Sequence, residues 1–340
     1  MKRRNFLGNL GLAGTMPLFS FSNFSEPVNG PVKITDVQII KVTGTKESFD
    51  FPYQYQITPM TVYPEHRVPP YPDNKKVKPE TQSISNHYIR ITTNQDVEGF
   101  YGLVDWEAAY VVLNQLRSFL IGQDPLAIET LWDKMYRMNR HSRGGHYMMA
   151  ISAVDNALWD LKGKYFNVPV YVLLGGPTRK QVEVYASCLG FSVLPEDVAS
   201  KCSALKDKGF RYQKWFMANG LADGSKGLLK NVELVRTLRE TLGEEYDIMF
   251  DAFNGWDLDY AKTWCKMVEE YRPYWIEEAF VSEKIDSFVE LRKSTSVPVA
   301  TGEHFYGRWE VGEFLKRGAL DYVQADPESV SYTHLRAHET

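Results

Sequence analysis

Beyond residue 180 the chain settles into a rhythm of short apolar runs and longer amphipathic stretches. The runs are VEVYASC (182–188), RYQKWFM (211–217), YDIMFDA (246–252), YWIEEA (274–279), PVATGE (298–303) and DYVQADP (321–327). They are rich in β-branched and aromatic residues and show little polar alternation, which predicts strands buried on both faces. The stretches between them, such as KNVELVRTLRETLG and DSFVELRKST, place apolar residues at helical spacing. Strands alternating with helices predict βα units on a parallel sheet. Six such units are legible, against the eight that close a (β/α) TIM-type barrel.

The first half reads differently. Residues 32–43 and 87–93 predict strands, with Asn94, Gln95 and Asp96 as a turn after the second. Between the strands runs a Pro- and Tyr-rich segment, FPYQYQITPMTVYPEHRVPPYPDNKK, with no period and too many prolines for a helix. A loop this long in a compact domain is functional or disordered, and its aromatics favour a packed lid. Helical spacing predicts one helix over 106–136 and another over 147–165, followed by a turn at LLGG (173–176). The division is an α+β capping domain over 31–165, a partial barrel over 166–328 and a tail over 329–340. Without further strands, the first and sixth strands of the barrel are expected to leave open edges, and the chain to fold poorly.

Residues 1–30 stand apart. Lys2, Arg3 and Arg4 precede Asn5, Phe6, Leu7 and a Gly-rich apolar stretch, a pattern similar to a twin-arginine export signal. It predicts an exported, periplasmic protein, or a cytoplasmic one if the signal is not used. The stretch is too short and glycine-rich to predict stable membrane insertion.

Three of the runs carry an acid at their C-terminal end: Asp251, Glu277 and Glu303, each 26 residues from the next. That interval is roughly one strand–helix unit of a barrel. Side chains at the C-terminal ends of barrel strands converge on one mouth. Three carboxylates there repel unless a cation lies among them, and a hard divalent ion such as Mg²⁺ suits oxygen donors. Composition narrows the field only slightly. Of 340 residues 44% are hydrophobic and 24% charged, as in ordinary globular proteins. A net charge of −4 gives no nucleic-acid footprint. Cys188, Cys202 and Cys265 form neither a CxxC pair nor a disulfide framework.

Several motifs together resemble one family. AISAVDNALWDLKGKYFNVPVYVLLGG, FDAFNGW, WIEEA and TGEH occur in the order found in the enolase superfamily, in its mandelate racemase and sugar-acid dehydratase branch. The resemblance covers about Val32 to Glu328 and is most like rhamnonate-dehydratase-type enzymes. It implies Mg²⁺ held by Asp251, Glu277 and Glu303, with Glu278 behind them. It also implies removal of the proton α to a carboxylate, which the metal assists by stabilising an enediolate. In the family's Lys-x-Lys motif Lys214 matches the first lysine, facing the substrate carboxylate. Phe216 replaces the second, the base of the racemases. Asp326 matches the aspartate that orients a catalytic histidine from a seventh strand, which this chain lacks. His304 is a candidate for substrate contact, and His66 and Arg67 lie in the capping loop that closes over substrate.

The implied activity is dehydration of a small-molecule sugar acid to a 2-keto-3-deoxy acid, by a homo-oligomer. An epimerase, racemase or cycloisomerase of the same superfamily remains the alternative, as does a non-catalytic or inactive truncated protein. After Glu328 the family continues into a Gly-Gly turn, whereas this chain reads SVSYTHLRAHET. That tail resembles translated library-adapter sequence, so His334 and His338 are not taken as site residues.

Overall fold

The structure, a computed structural model, describes residues 30–47, 56–66 and 81–336. Residues 1–29 of the signal-like segment, Arg67 and His338 lie outside these ranges. The cap is an antiparallel sheet of β1 (Ile34–Glu47), β2 (Thr81–Thr93) and β3 (Glu98–Tyr101), in that order. β1 runs past the predicted end at Thr43, because Gly44 to Glu47 pair with Thr81 to Ile84. Those residues are exposed on both strands, so no apolar pattern announces them and the backbone ladder alone extends the hairpin. β3 is the strand that sequence reading omits. It turns back at Asp96, whose φ of 56° closes the connection.

The predicted helix over 106–136 is broken in two. α1 (Trp106–Val111) continues through a π turn (Val112–Leu116) into α2 (Arg117–Leu120), and α3 spans Ile128–Met138. At the break, Gly122 adopts φ +82° and its N–H donates to the Ile34 carbonyl at 2.8 Å, while Ile34 N–H donates to Gln123 at 3.0 Å. Helical spacing survives across the gap, but the backbone there is stitched to β1 instead. α4 (Gly145–Phe166) matches the second prediction and forms the centre of the cap. Met148, Ile151, Val154 and Leu158 are fully buried. β3 crosses α4 so closely that a Cβ at Gly99 would sit 2.0 Å from the Ala157 carbonyl oxygen. The helix stops at Asn167 in the left-handed region, φ 54°, and the short α5 (Val170–Leu173) leads to the second sheet.

That sheet is parallel, in the order β4 (Tyr185–Ser187), β5 (Tyr212–Phe216), β6 (Asp247–Asp251), β7 (Trp275–Glu277), β8 (Val299–Thr301) and β9 (Tyr322–Val323). Its connecting helices are α6 (Pro195–Asp207), α7 (Gly224–Leu242), α8 (Leu258–Val268), α9 (Ile285–Ser294) and α10 (Arg308–Arg317). Each predicted run holds a strand, trimmed at its ends. The result is a six-strand arc of a (β/α) barrel. Register sets its interior in layers: Phe216 pairs with Asp251 and Asp251 with Glu277, one level above Lys214, Met249 and Trp275. Outward residues such as Trp215, Phe250, Ile276 and Val299 pack under the helices with no exposure.

α11 (Pro327–Arg336) returns the chain to the cap, kinked at Ser331. Asn156 of α4 donates to the Pro327 carbonyl at 2.9 Å and accepts from Tyr332 N–H at 3.1 Å. Buried Asp155 accepts from Thr333 N–H at 3.1 Å and from its hydroxyl at 2.7 Å. The stretch from Ser329 to Thr333 is thus seated in a polar slot on α4.

Candidate active site

At the C-terminal edge of the arc, burial and charge collide. Asp251 and Glu277 end neighbouring strands at the same level and are 1% and 0% exposed. Lys214, one layer down on β5, reaches between them, with Nζ 3.0 Å from Asp251 Oδ2 and 2.6 Å from Glu277 Oε1. The other oxygen of each carboxylate is also held: Asp251 Oδ1 accepts from Phe253 N–H at 2.9 Å, and Glu277 Oε2 from Trp275 Nε1–H at 3.0 Å. Burial and the Glu277 charge push the Asp251 carboxyl well up, while Lys214 pulls it down. Burial draws the Lys214 ammonium down, but Asp251 and Glu277 outweigh it and raise it. The two carboxylates thus hold Lys214 in its charged form between them.

Glu303 lies two residues beyond the end of β8, in the loop leading to α10. Burial raises its carboxyl, and the nearby Glu278 raises it further. His304 beside it is half exposed, and its Nδ1 lies 2.7 Å from Glu278 Oε1. A carboxylate can only accept, so this nitrogen carries the proton. That hydrogen bond lifts the imidazole to about 9, against the opposing effect of burial. Glu278 is itself braced, because its other oxygen accepts from Asn254 Nδ2–H at 2.9 Å.

The three acids predicted to share a cation divide in the structure. Asp251 and Glu277 close on Lys214, and Glu303 groups with Glu278 and His304, whose ligand atoms lie within 4.8 Å of one another. Among the described residues that is the group with metal-binding spacing. Four carboxylates face two cationic side chains across a mouth where Asp251, Glu277 and Glu278 are buried. That excess of buried anionic oxygen fits a hard divalent cation, and Glu303 is the residue shared by the predicted trio of acids and the group with metal-binding spacing.

The remaining predicted residues lie farther from this chemistry. Asp326 Oδ1 accepts from Glu328 N–H at 2.8 Å and its carbonyl from Ser329 and Val330, so it starts α11 and contacts backbone, not a histidine ring. His66 is exposed at the end of a 3-10 turn, Pro64–His66. Phe216 occupies the layer of Asp251, with the Lys214 ammonium 5.0 Å over its ring. Asn254 and Trp275 were not singled out in sequence. Asn254 does have a visible signal, since Phe-Asn-Gly after a strand marks a turn tolerant of left-handed backbone. Trp275 has none, because a strand tryptophan reads as core.

Residues 197–336 match the family described as Enolase C-terminal domain-like, and residues 80–175 match the mandelate racemase / muconate lactonizing enzyme N-terminal domain. The chain is similar to a D-galactonate dehydratase of Klebsiella pneumoniae (strain 342), 33% identical over 244 residues. That match covers 70% of this chain, which spans 63% of the relative's length. Among solved structures it is similar to rhamnonate dehydratase from Gibberella zeae complexed with Mg, with TM-score 0.76 and 27% identity over 91% of this chain and 75% of that one. The fold is also that of the 3,6-anhydro-D-galactonate cycloisomerase from Zobellia galactanivorans, TM-score 0.69, 24% identical, covering 90% of this chain and 75% of that one. An antiparallel cap seated over an arc of parallel strands, acids at the ends of three successive strands and a match to both domains have one reading: this chain belongs to the mandelate racemase/muconate lactonizing enzyme branch of the enolase superfamily.

Proposed function

We propose that the protein is a Mg²⁺-dependent dehydratase of sugar acids, in which a proton α to a carboxylate is removed and the β-hydroxyl leaves to give a 2-keto-3-deoxy acid. The carrying observation is the layered charge at the mouth: Asp251 and Glu277 level with each other, Glu303 one strand on, and Lys214 beneath. Two similar proteins, a D-galactonate and a rhamnonate dehydratase, support the substrate class.

Asp251, Glu277 and Glu303 would hold the metal, which when bound supplies Lewis-acid stabilisation of negative charge on the substrate carboxylate. The side chains account for the rest. Lys214 places a fixed positive charge beside that carboxylate, where charge grows as the α-proton departs. His304, aimed by Glu278, presents its free ring nitrogen to a substrate oxygen. Asp326, just past β9, would orient a histidine base. Phe216 puts a ring where a racemase carries its second base, which disfavours a racemase with two opposed bases. His66 and Arg67 would meet the substrate's hydroxyls from the capping segment, and the small-molecule substrate would be handled by a homo-oligomer. The signal-like residues 1–30 would direct export to the periplasm, and the protein would be cytoplasmic if that signal is not used. No helix among the described residues is long and apolar enough to cross a membrane.

The test is a panel of sugar acids, galactonate and rhamnonate included, with and without Mg²⁺. Semicarbazide-reactive keto acid should form only with metal and be abolished by chelation. Epimerised product without keto acid would replace this reading with the epimerase one. Mg²⁺ binding with no product from any acid would favour a non-catalytic protein.

A further inference from the structure

Ile57 belongs by sequence to the segment joining two cap strands, yet it is 2% exposed and packs in the apolar core of the parallel sheet. Its N–H donates at 3.0 Å to the carbonyl of Met217, the residue after β5. The socket that receives it is made of glycine. A Cβ at Gly220 would lie 1.9 Å from Ile57 Cδ1, and one at Gly255 would lie 2.4 Å from Cγ1, 2.8 Å from Cδ1 and 3.2 Å from Cγ2. Gly220 has φ −140°, a backbone open to any residue, so it is Ile57 that excludes a side chain there. The socket's far wall is pinned, since the Asn219 carbonyl accepts from Asn231 Nδ2–H at 2.8 Å and from Trp256 Nε1–H at 3.0 Å.

The residues next to Gly255 are strained. Phe253 and Asn254 have φ of 48° and 60°, and Glu278, which Asn254 contacts, has 44°. Such non-glycine backbone persists only where its surroundings over-determine it. Here Asn254 N–H donates to the Glu278 carbonyl at 2.7 Å and its side chain to the Glu278 carboxylate at 2.9 Å. Glu278 in turn holds His304. A contiguous series of contacts runs from the cap to the mouth.

We propose that Ile57 is a positioning residue of the site: seated between Gly220 and Gly255, it clamps the strained Phe253–Asn254 turn, which orients Glu278 and through it His304. The cap thereby does more than cover the mouth, because its docking sets the geometry of a side chain inside it. This deepens the dehydratase reading and rests on it only for the kinetic arm of the test.

The variants are Ile57→Ala, Gly220→Ala and the pair Ile57→Val with Gly220→Ala, in the full chain. Leu291→Ala, at a fully buried residue of α9, is the control for simple loss of core. Amide hydrogen exchange is followed in peptides covering 56–62 and 253–257. Ile57→Ala and Gly220→Ala should each speed exchange about tenfold or more in both peptides, and Leu291→Ala should not. The double variant should recover protection, because valine lacks the Cδ1 that the added methyl meets. On a turned-over sugar acid, Ile57→Ala should lower kcat about tenfold with KM nearly unchanged. Wild-type protection at 253–257 in Ile57→Ala, or no recovery in the double variant, would overturn the proposal. If no sugar acid is turned over, the exchange results still decide it, while the dehydratase reading falls separately.

Discussion

The cap and the parallel arc bury the same kinds of side chain but enclose them differently. The cap sheet needs cover on one face only, and α4 supplies it with Met148, Ile151, Val154 and Leu158 at zero exposure. The arc needs cover on two faces. Its outer face is as dry as the cap, but its inner face thins to Met249, Trp275 and Ala300, with Tyr212 and Tyr274 against them and Tyr322 36% exposed at the edge. Above that small apolar layer the interior turns ionic. The chemistry lies where the fold gives up hydrophobic filling, and the stability lies where it does not.

Lys214→Met should break this contrast most severely. Removing the cation leaves Asp251 and Glu277 buried with no countercharge from Lys214, a loss of about 3–5 kcal/mol in metal-free protein by urea denaturation. Mg²⁺ should restore part of it, and turnover should still be lost. An unchanged midpoint would mean that the ionic layer does not depend on its lysine.

In the cap, the one deeply buried acid among the described residues behaves in the opposite sense to an exposed, ion-paired carboxylate. Burial lifts Asp155 to about 6, against the hydrogen bonds from Thr333. Its folded value lies above the ordinary 3.8, so the folded state binds the extra proton between the two. The contribution is fully present below 3.8 and lost as pH rises through about 6. Melting followed from pH 4 to 7 should show this decline, on the order of 2–3 kcal/mol, and Asp155→Asn should flatten it. A parallel slope in the variant would assign the decline to other groups.

The smallest effect concerns the seam between the two regions. Ser331 is buried at φ +63°, where glycine is at ease. Ser331→Gly should raise stability by about 1 kcal/mol, read as a shift of a few degrees in Tm. A fall would show that the serine hydroxyl matters more than its backbone.

These regions were unequally legible. The apolar runs from 182 to 327 announced every strand of the arc, because strands buried on both faces must be apolar throughout. The three acids stood out because a charged residue ending such a run has few structural excuses. β3, the exposed half of the β1–β2 hairpin and the break at Gly122 were silent. There, backbone hydrogen bonds to distant strands decide the structure and leave no pattern of side chains. Asn254 carried a turn signal but no sign of its partner Glu278, which comes from the next strand.

By itself, then, the sequence determined the period of the elements, the division into cap and barrel units, and which acids could meet at a mouth. Those follow from local spacing and from what burial permits. Only the tertiary structure decided that Lys214 lies between Asp251 and Glu277, that Glu303 sides with Glu278 and His304, and that Ile57 of the cap enters the barrel's core. Such pairings depend on strand register and on loops from different elements meeting within hydrogen-bond distance, which spacing along a chain does not encode.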